Sequence, residues 1–392
     1  MLLSLAIIFI LGFTLGEILN KFKLPRLLGM LIIGILIGPN AFNYLDESIL
    51  SISSELRRIA LIIILTRAGL NMDLKDLRAV GRPAILMSFI PASLEIIGTI
   101  IIAPKLLGIS LLDSAILGTV IAAVSPAVIV PKMLKLIGER YGIKEKIPQL
   151  IMAGSSVDDV FVIVLFTSFL GLAKGGDISA LNFIRIPTSI IFGVLVGVLI
   201  GLALIELFRR FTIDDSLKVV LVLSISFILV TIEDSITGNI GFSGLLSIMS
   251  IGITIKRVRP DIANDIGLKY SSLWSGAELL LFVLVGATVD IKYVSGAGLS
   301  AVILIFGALV FRVIGVYICL LKTELSTREK IFSMIAYCPK ATVQAAIGSI
   351  PLTEGLASGN IILTVAVLAI IITAPLGSFA IDYSYKRLLN KA

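Results

Sequence analysis

Ala153-Gly-Ser155-Ser156-Val-Asp158-Asp159-Val160 sits in the middle of an apolar run from Ile147 to Leu172. As a helix, the run is long enough to cross about 30 Å of hydrocarbon. A carboxylate at the centre of a bilayer costs on the order of 2.5–3.5 kcal/mol on insertion scales. Packing gives no reason to place two there side by side. They suit a site that holds a cation and exchanges it for protons. On a helix, Ser155 lies one turn from Asp159, and Asp158 points about 100° away. Asp159, the Ser155 hydroxyl, Ser125 and an open carbonyl from a neighbouring helix would give an all-oxygen set, which hard cations prefer. Burial favours the protonated carboxyl and a bound cation favours the ionised one, so cation and proton compete for the same group. The blander reading of the pair is a structural ion pair with a basic residue. For Ser155 and Ser125 it is the packing of small polar residues between helices.

The rest of the chain fits a membrane setting. Of 392 residues, 57% are hydrophobic and 15% charged, and the mean hydropathy is +1.08. No soluble fold of this length has that balance. Apolar runs recur along the whole sequence and predict about thirteen transmembrane helices, centred near Phe9, Ile33, Ile62, Leu94, Ala123, Val160, Val196, Ser224, Met249, Val283, Ile305, Tyr337 and Leu368. The third is the weakest, because Arg57, Arg58 and Arg67 lie in or beside it. The first lacks a basic leader and reads as a true helix rather than a cleaved signal. An odd number of spans puts the termini on opposite sides. With the N-terminus outside, the outer loops hold only Arg57, Arg58, Lys105, Lys174, Arg185 and Lys292, and most of the 33 lysines and arginines fall inside. The positive-inside rule therefore predicts a multi-pass cell-membrane protein with an outside N-terminus and a cytoplasmic C-terminus. The same loops account for the net charge of +7, so basicity implies no nucleic-acid partner. Cys319 and Cys338 read as buried free thiols. With no histidine in the chain, proton chemistry near neutral pH falls to carboxylates or lysine.

An internal repeat organises these spans. Gly69-Leu-Asn-Met-Asp73-Leu-Lys75 recurs as Gly286-Ala-Thr-Val-Asp290-Ile-Lys292, 217 residues on. The same register carries Glu95 onto Arg312 and the proline-interrupted fifth span onto the twelfth. Seven helices separate equivalent positions, so the two six-helix repeats are inverted in the membrane, an architecture of many secondary transporters. Pro126 in Val124-Ser125-Pro126 and Pro339 in Cys338-Pro339-Lys340 remove backbone donors, which opens or kinks a helix. Open backbone at membrane depth is tolerated only around a cavity, and Lys340 would offset the negative ends of two opened helices. Glu95 and Arg312 read most simply as a buried salt bridge. Glu278 reads as structural. Gly193, Gly197 and Gly201 mark close helix packing, within the chain or between protomers.

These features resemble the monovalent cation–proton antiporters. The resemblance is carried by Asp158–Asp159 on the sixth span, Ser125-Pro126 in the fifth and Pro339-Lys340-Ala-Thr-Val-Gln-Ala-Ala-Ile in the twelfth. The Pro-Lys-Ala-Thr-Val-Gln stretch is similar to the sodium/proton branch that includes the animal NHA-type exchangers. The resemblance implies the sodium/proton antiporter fold, with crossed broken helices and a homodimer. It implies a dimerisation subdomain (1–80 and 216–295), a core subdomain (82–174 and 298–385) that moves like an elevator, and a linker helix (183–210). It implies that sodium, or lithium, binds at Asp159, Asp158, Ser155 and Ser125, with Asp159 the principal ligand and Glu95, Arg312 and Lys340 as supporting charges. Protons, monovalent cations and membrane lipid are the implied partners. With no nucleotide motif, metal cluster or nucleophile triad in the sequence, transport without a cofactor or enzymatic activity is expected. Many aspartate-pair members carry a lysine where Arg312 falls. Arginine does not release its proton, so one proton per sodium becomes the expectation if Arg312 pairs permanently with Asp158 or Glu95. The rival readings are a sodium-coupled symporter of an organic anion, a potassium/proton antiporter and an intramembrane aspartyl protease. The last needs aspartates from different helices facing one water, which adjacent residues on one helix cannot supply.

Overall fold

The structure is a computed structural model and describes residues 1–72, 80–174, 185–235 and 241–391. Asp73 and Lys75 of the repeated motif, and the side chain of Lys292, lie outside the described residues. The elements are α1 (Leu2–Lys21), α2 (Arg26–Ile37), α3 (Glu47–Ser51), α4 (Ser53–Asn71), α5 (Arg82–Met87), α6 (Ile90–Leu107), α7 (Leu111–Ala122), α8 (Pro126–Glu139) and α9 (Ile147–Lys174). They continue as α10 (Arg185–Arg210), α11 (Asp215–Ser235), α12 (Gly244–Val258), α13 (Pro260–Ala287), α14 (Ile291–Cys319), α15 (Thr327–Ala336), α16 (Thr342–Ile347), α17 (Ile350–Thr353) and α18 (Gly359–Leu388).

Among the described residues, nine helical stretches are long and apolar enough to cross a membrane. The four other predicted spans fall on α2, α4, α12 and the α15–α17 pieces. These are short, interrupted or, in α4, loaded with Arg57, Arg58 and Arg67. Lipid-length hydropathy therefore does not by itself establish the count of thirteen.

The chain forms two compact units. One holds Met1–Arg57, Lys75–Val162 and Leu279–Ala392, and the other holds Arg58–Leu74 and Ile163–Glu278. In the first unit, α6 and α14 pack along each other through small residues at equivalent places in the repeat. A Cβ on Gly98 would meet the Phe311 ring at 2.5 Å, and one on Gly315 would meet Pro91 Cα at 2.7 Å. Gly98 and Gly315 are themselves 217 residues apart. The same unit seats Gly286 of α13 on α2, where an added Cβ would come within 2.3 Å of the Leu31 carbonyl oxygen. In the second unit, Gly69 of α4 sits against α12, with Met249 O at 2.5 Å from an added Cβ. The glycine stripe of α10 also packs there, inside the chain. Ser247 Oγ donates to Gly193 O at 2.9 Å, and a Cβ on Gly197 would meet Ser247 O at 2.4 Å.

Both predicted breaks are present. The Ser110 side chain caps α7 by accepting from Asp113 N at 3.0 Å, and the helix stops at Ala122, where Ala123 is extended. Ser125 is extended as well, as the residue before a proline must be, and Pro126 opens α8 at a position that needs no donor. On the other arm, a capping box of Ser326 and Glu329 starts α15. That helix ends at Tyr337, and α16 begins at Thr342. The two arms meet where Ser125 N–H donates to Pro339 O at 2.8 Å. α18 is tied to α8 at one end, where Lys132 and Lys135 hold Asp382 and the Tyr385 hydroxyl donates to Glu139.

Candidate functional site

The crossing is built residue by residue from the break between α7 and α8. The Ala122 carbonyl accepts from Arg312 Nη1 and from Lys340 Nζ at 3.3 Å. The Ala123 carbonyl accepts from Gln344 Nε2 at 2.8 Å. The Val124 N–H donates to Asp158 Oδ2 at 2.9 Å. The other break is held in the same way, because Arg312 Nε donates to Tyr337 O at 2.6 Å. The last carbonyls of a helix have no partner within it and carry partial negative charge. Here the end of α7 is met by Arg312 and Lys340, and the end of α15 by Arg312.

Four charges close around this backbone. Arg312 Nη1 donates to Glu95 Oε2 at 2.8 Å, and Arg312 Nη2 donates to Asp158 Oδ2 at 2.9 Å. Lys340 Nζ donates to the same Glu95 oxygen at 2.6 Å. Arg312 and Asp158 are 0% exposed, Glu95 and Lys340 1%. Buried ions are tolerated when they are paired and fully hydrogen-bonded, and this quartet has two cations and two anions. Arg312 also lies over the Tyr337 ring, 5.0 Å from its centroid. Tyr337 in turn donates from its hydroxyl to Met87 O at 3.0 Å.

The quartet leaves Asp159 as an extra carboxylate. Among the described residues, its Oδ1 is buried with no hydrogen-bond partner, and so are Asp158 Oδ1, Ser125 Oγ and Gln344 Oε1. Ser125 is fully buried and occupies the N-cap of α8, yet it does not use its hydroxyl to cap. The two predicted serines therefore differ. Ser155 is also buried, but its hydroxyl donates to Met152 O at 3.0 Å in its own helix. It can offer a lone pair but has no orphaned oxygen. The structure thus brings Asp158, Glu95, Arg312 and Lys340 into one bonded cluster, ties Ser125 to the crossing through its backbone N–H, and places Asp159 next to Asp158 on α9. Asp158 and Arg312, 154 residues apart, are joined directly. Sequence reasoning missed Gln344. Its signal was an amide in an otherwise apolar stretch just after the second break. Among the described residues, no three His, Cys, Asp or Glu side chains form a metal cluster.

The fold is that of the sodium proton antiporter MjNhaP1 from Methanocaldococcus jannaschii at pH 8, with a TM-score of 0.85 at 21% identity over 98% of this chain and 97% of that one. Inverted repeats, crossed broken helices and a buried charged cluster define the class, a monovalent cation–proton antiporter. Residues 5–382 match the family described as sodium/hydrogen exchanger, transmembrane, and the chain belongs to that family. Its similar relatives include human sodium/hydrogen exchanger 9B2, 33% identical over all of this chain and 75% of that protein. The Xenopus tropicalis 9B2 exchanger is 34% identical over 96% of this chain and 73% of its own length. Human sodium/hydrogen exchanger 9B1 is 31% identical over all of this chain and 78% of its own. These relatives are transporters rather than enzymes, and the chain is a multi-pass membrane protein that exchanges sodium for protons.

Proposed function

We propose that the exchange runs by an elevator-type alternating-access mechanism, with sodium (or lithium) and protons competing at Asp159. The observation that carries this reading is the division of labour between the two aspartates. Asp158 is held by Arg312 and by the Val124 N–H, so its charge is already matched. Asp159 has a buried oxygen without a partner. A partly buried carboxylate with an unpartnered inner oxygen is poorly stabilised as a bare anion and is neutralised by taking either a cation or a proton. Asp158 Oδ1 and Ser125 Oγ, both unpartnered, would complete the ligand set, with Ser155 offering a lone pair. All of these residues fall within 82–174 and 298–385, the core subdomain that would carry the ion, in a homodimer held by 1–80 and 216–295. The N-terminus would be outside and the C-terminus cytoplasmic.

Sealed proteoliposomes with a pH dye inside test this. Added sodium or lithium should move protons in the wild type, and Asp159→Asn should abolish the movement while leaving the melting curve in place. Competition at one carboxylate also requires the KM for sodium to rise by up to about tenfold for each unit of acidification once the group is protonated. Exchange that survives in Asp159→Asn overturns the assignment.

A further inference from the structure

Gln344 is 0% exposed at the start of α16, directly at the helix crossing. Its amide is not free to turn. Nε2 donates to Ala123 O at 2.8 Å, and an oxygen in that place would face another carbonyl oxygen. Oε1 is therefore fixed on the opposite side of the amide, buried and without a partner. A buried amide oxygen left unsatisfied is destabilising, and Ser125 Oγ, two residues from Ala123, is left in the same condition. Both oxygens are neutral and hard. Ser125 belongs to the break whose Val124 amide holds Asp158, and the Gln344 side chain reaches that break from α16.

We propose that Gln344 Oε1 is a direct ligand of the transported cation and, with Ser125 Oγ, forms a neutral half of the site that complements the aspartate half. The proposal rests on the reading of Asp159 as the exchanging carboxylate and adds a distinct role to it. A carboxylate binds cation and proton alike. An amide oxygen coordinates a cation but takes no proton near neutral pH, so it strengthens cation binding without strengthening proton binding. It is also held rigidly by Ala123, and a fixed ligand distance favours one ion size over others. Gln344 is thereby assigned as a determinant of the choice among lithium, sodium and potassium.

Gln344→Met keeps the length and bulk of the side chain but loses the hard oxygen. In the full chain reconstituted in vesicles, the KM for sodium should rise about tenfold at every pH tested, the scale of one lost ligand. The maximal rate should change less than the KM, and the pH at which protons begin to compete should stay where it is. The ratio of lithium to sodium KM should change as well. In detergent, the melting temperature without sodium should fall, because Ala123 O loses its donor, and the upward shift caused by added sodium should shrink. Ser125→Ala, which breaks no hydrogen bond, should give the same rise in KM and the same smaller sodium shift, with the melting temperature without sodium near that of the wild type. If Gln344→Met does not fold, Gln344→Asn keeps the amide but pulls its oxygen back by one methylene, and the same rise in KM is expected. Asp159→Asn is run in parallel. Exchange persisting there defeats the reading of Asp159. Loss of exchange there, with wild-type KM and ion ratios in a folded Gln344 variant, overturns the Gln344 proposal alone. A fall in maximal rate or melting temperature with unchanged KM and ion preference likewise overturns it, since a merely structural role would have that effect.

Discussion

Glu95 receives two cations on one oxygen, Arg312 at 2.8 Å and Lys340 at 2.6 Å. Removing it leaves both positive groups buried beside two helix ends with a single remaining anion, Asp158. Stranding a buried charge in this way costs roughly 3–5 kcal/mol. Glu95→Ala should therefore lower the melting temperature sharply, and replacing Lys340 with methionine in the same chain should restore part of the loss. Unchanged melting in Glu95→Ala would remove the quartet from any account of stability. At this scale much of the site is legible in the sequence, because Asp158, Asp159, Glu95, Arg312 and Lys340 are outliers in apolar surroundings. What the sequence cannot show is which groups are already matched. Asp158 and Asp159 look alike on paper, as do Ser125 and Ser155. The difference lies in hydrogen bonds to residues 34 and 154 positions away for Asp158. Gln344 escapes for the same reason: one end of its amide is engaged and the other is not, and only the fold reveals that.

At the scale of the helix, the glycines do what bulkier residues could not. An alanine Cβ at Gly286 would lie 2.3 Å from Leu31 O, and one at Gly34 2.1 Å from Val283 O. The obstacles are backbone atoms, so α2 and α13 would have to separate. Gly286→Ala should cost about 1–3 kcal/mol or more, read as a lower melting temperature. Gly276 lies in the same helix, and no described atom comes within 4 Å of the Cβ it would gain. Gly276→Ala should be neutral, or stabilising by up to about 1 kcal/mol through helix propensity. Equal losses at both positions would mean that close approach is not what fixes Gly286. The breaks in the fifth and twelfth spans were readable from Pro126 and Pro339, since proline has a fixed local consequence. The partner of the α10 glycine stripe was not, because small residues permit close packing without specifying against what. α12 supplies it through Ser247.

For the molecule as a whole, the charge count at the crossing sets the expected stoichiometry. Arg312 retains its proton, and Asp158 and Glu95 are matched by Arg312 and Lys340. On the proposed reading of the site, Asp159 is the one carboxylate left to alternate between sodium and a proton. One positive charge would move in each direction per cycle, so sodium-driven exchange in proteoliposomes should generate no current and should be insensitive to an imposed membrane potential. A sodium-dependent current would show that a second group in the quartet titrates during the cycle. The class and the inverted architecture were legible from hydropathy and from a repeat register of 217 residues. The helix count was not, since α2, α12 and the α15–α17 pieces are too short for a rule built on bilayer thickness.

The salt bridge between Glu95 and Arg312 joins residues 217 positions apart, which is the spacing of the repeat itself. In an arrangement of two identical halves, positions that meet their own counterparts must carry the same residue, glutamate against glutamate or arginine against arginine. An acid facing a base at such a place is therefore open only to a chain in which the halves have become different. If an ancestor assembled from two copies of one half, it held this spot by other means. On that history, the ion pair at the centre of the present protein arose only once the two halves had begun to diverge.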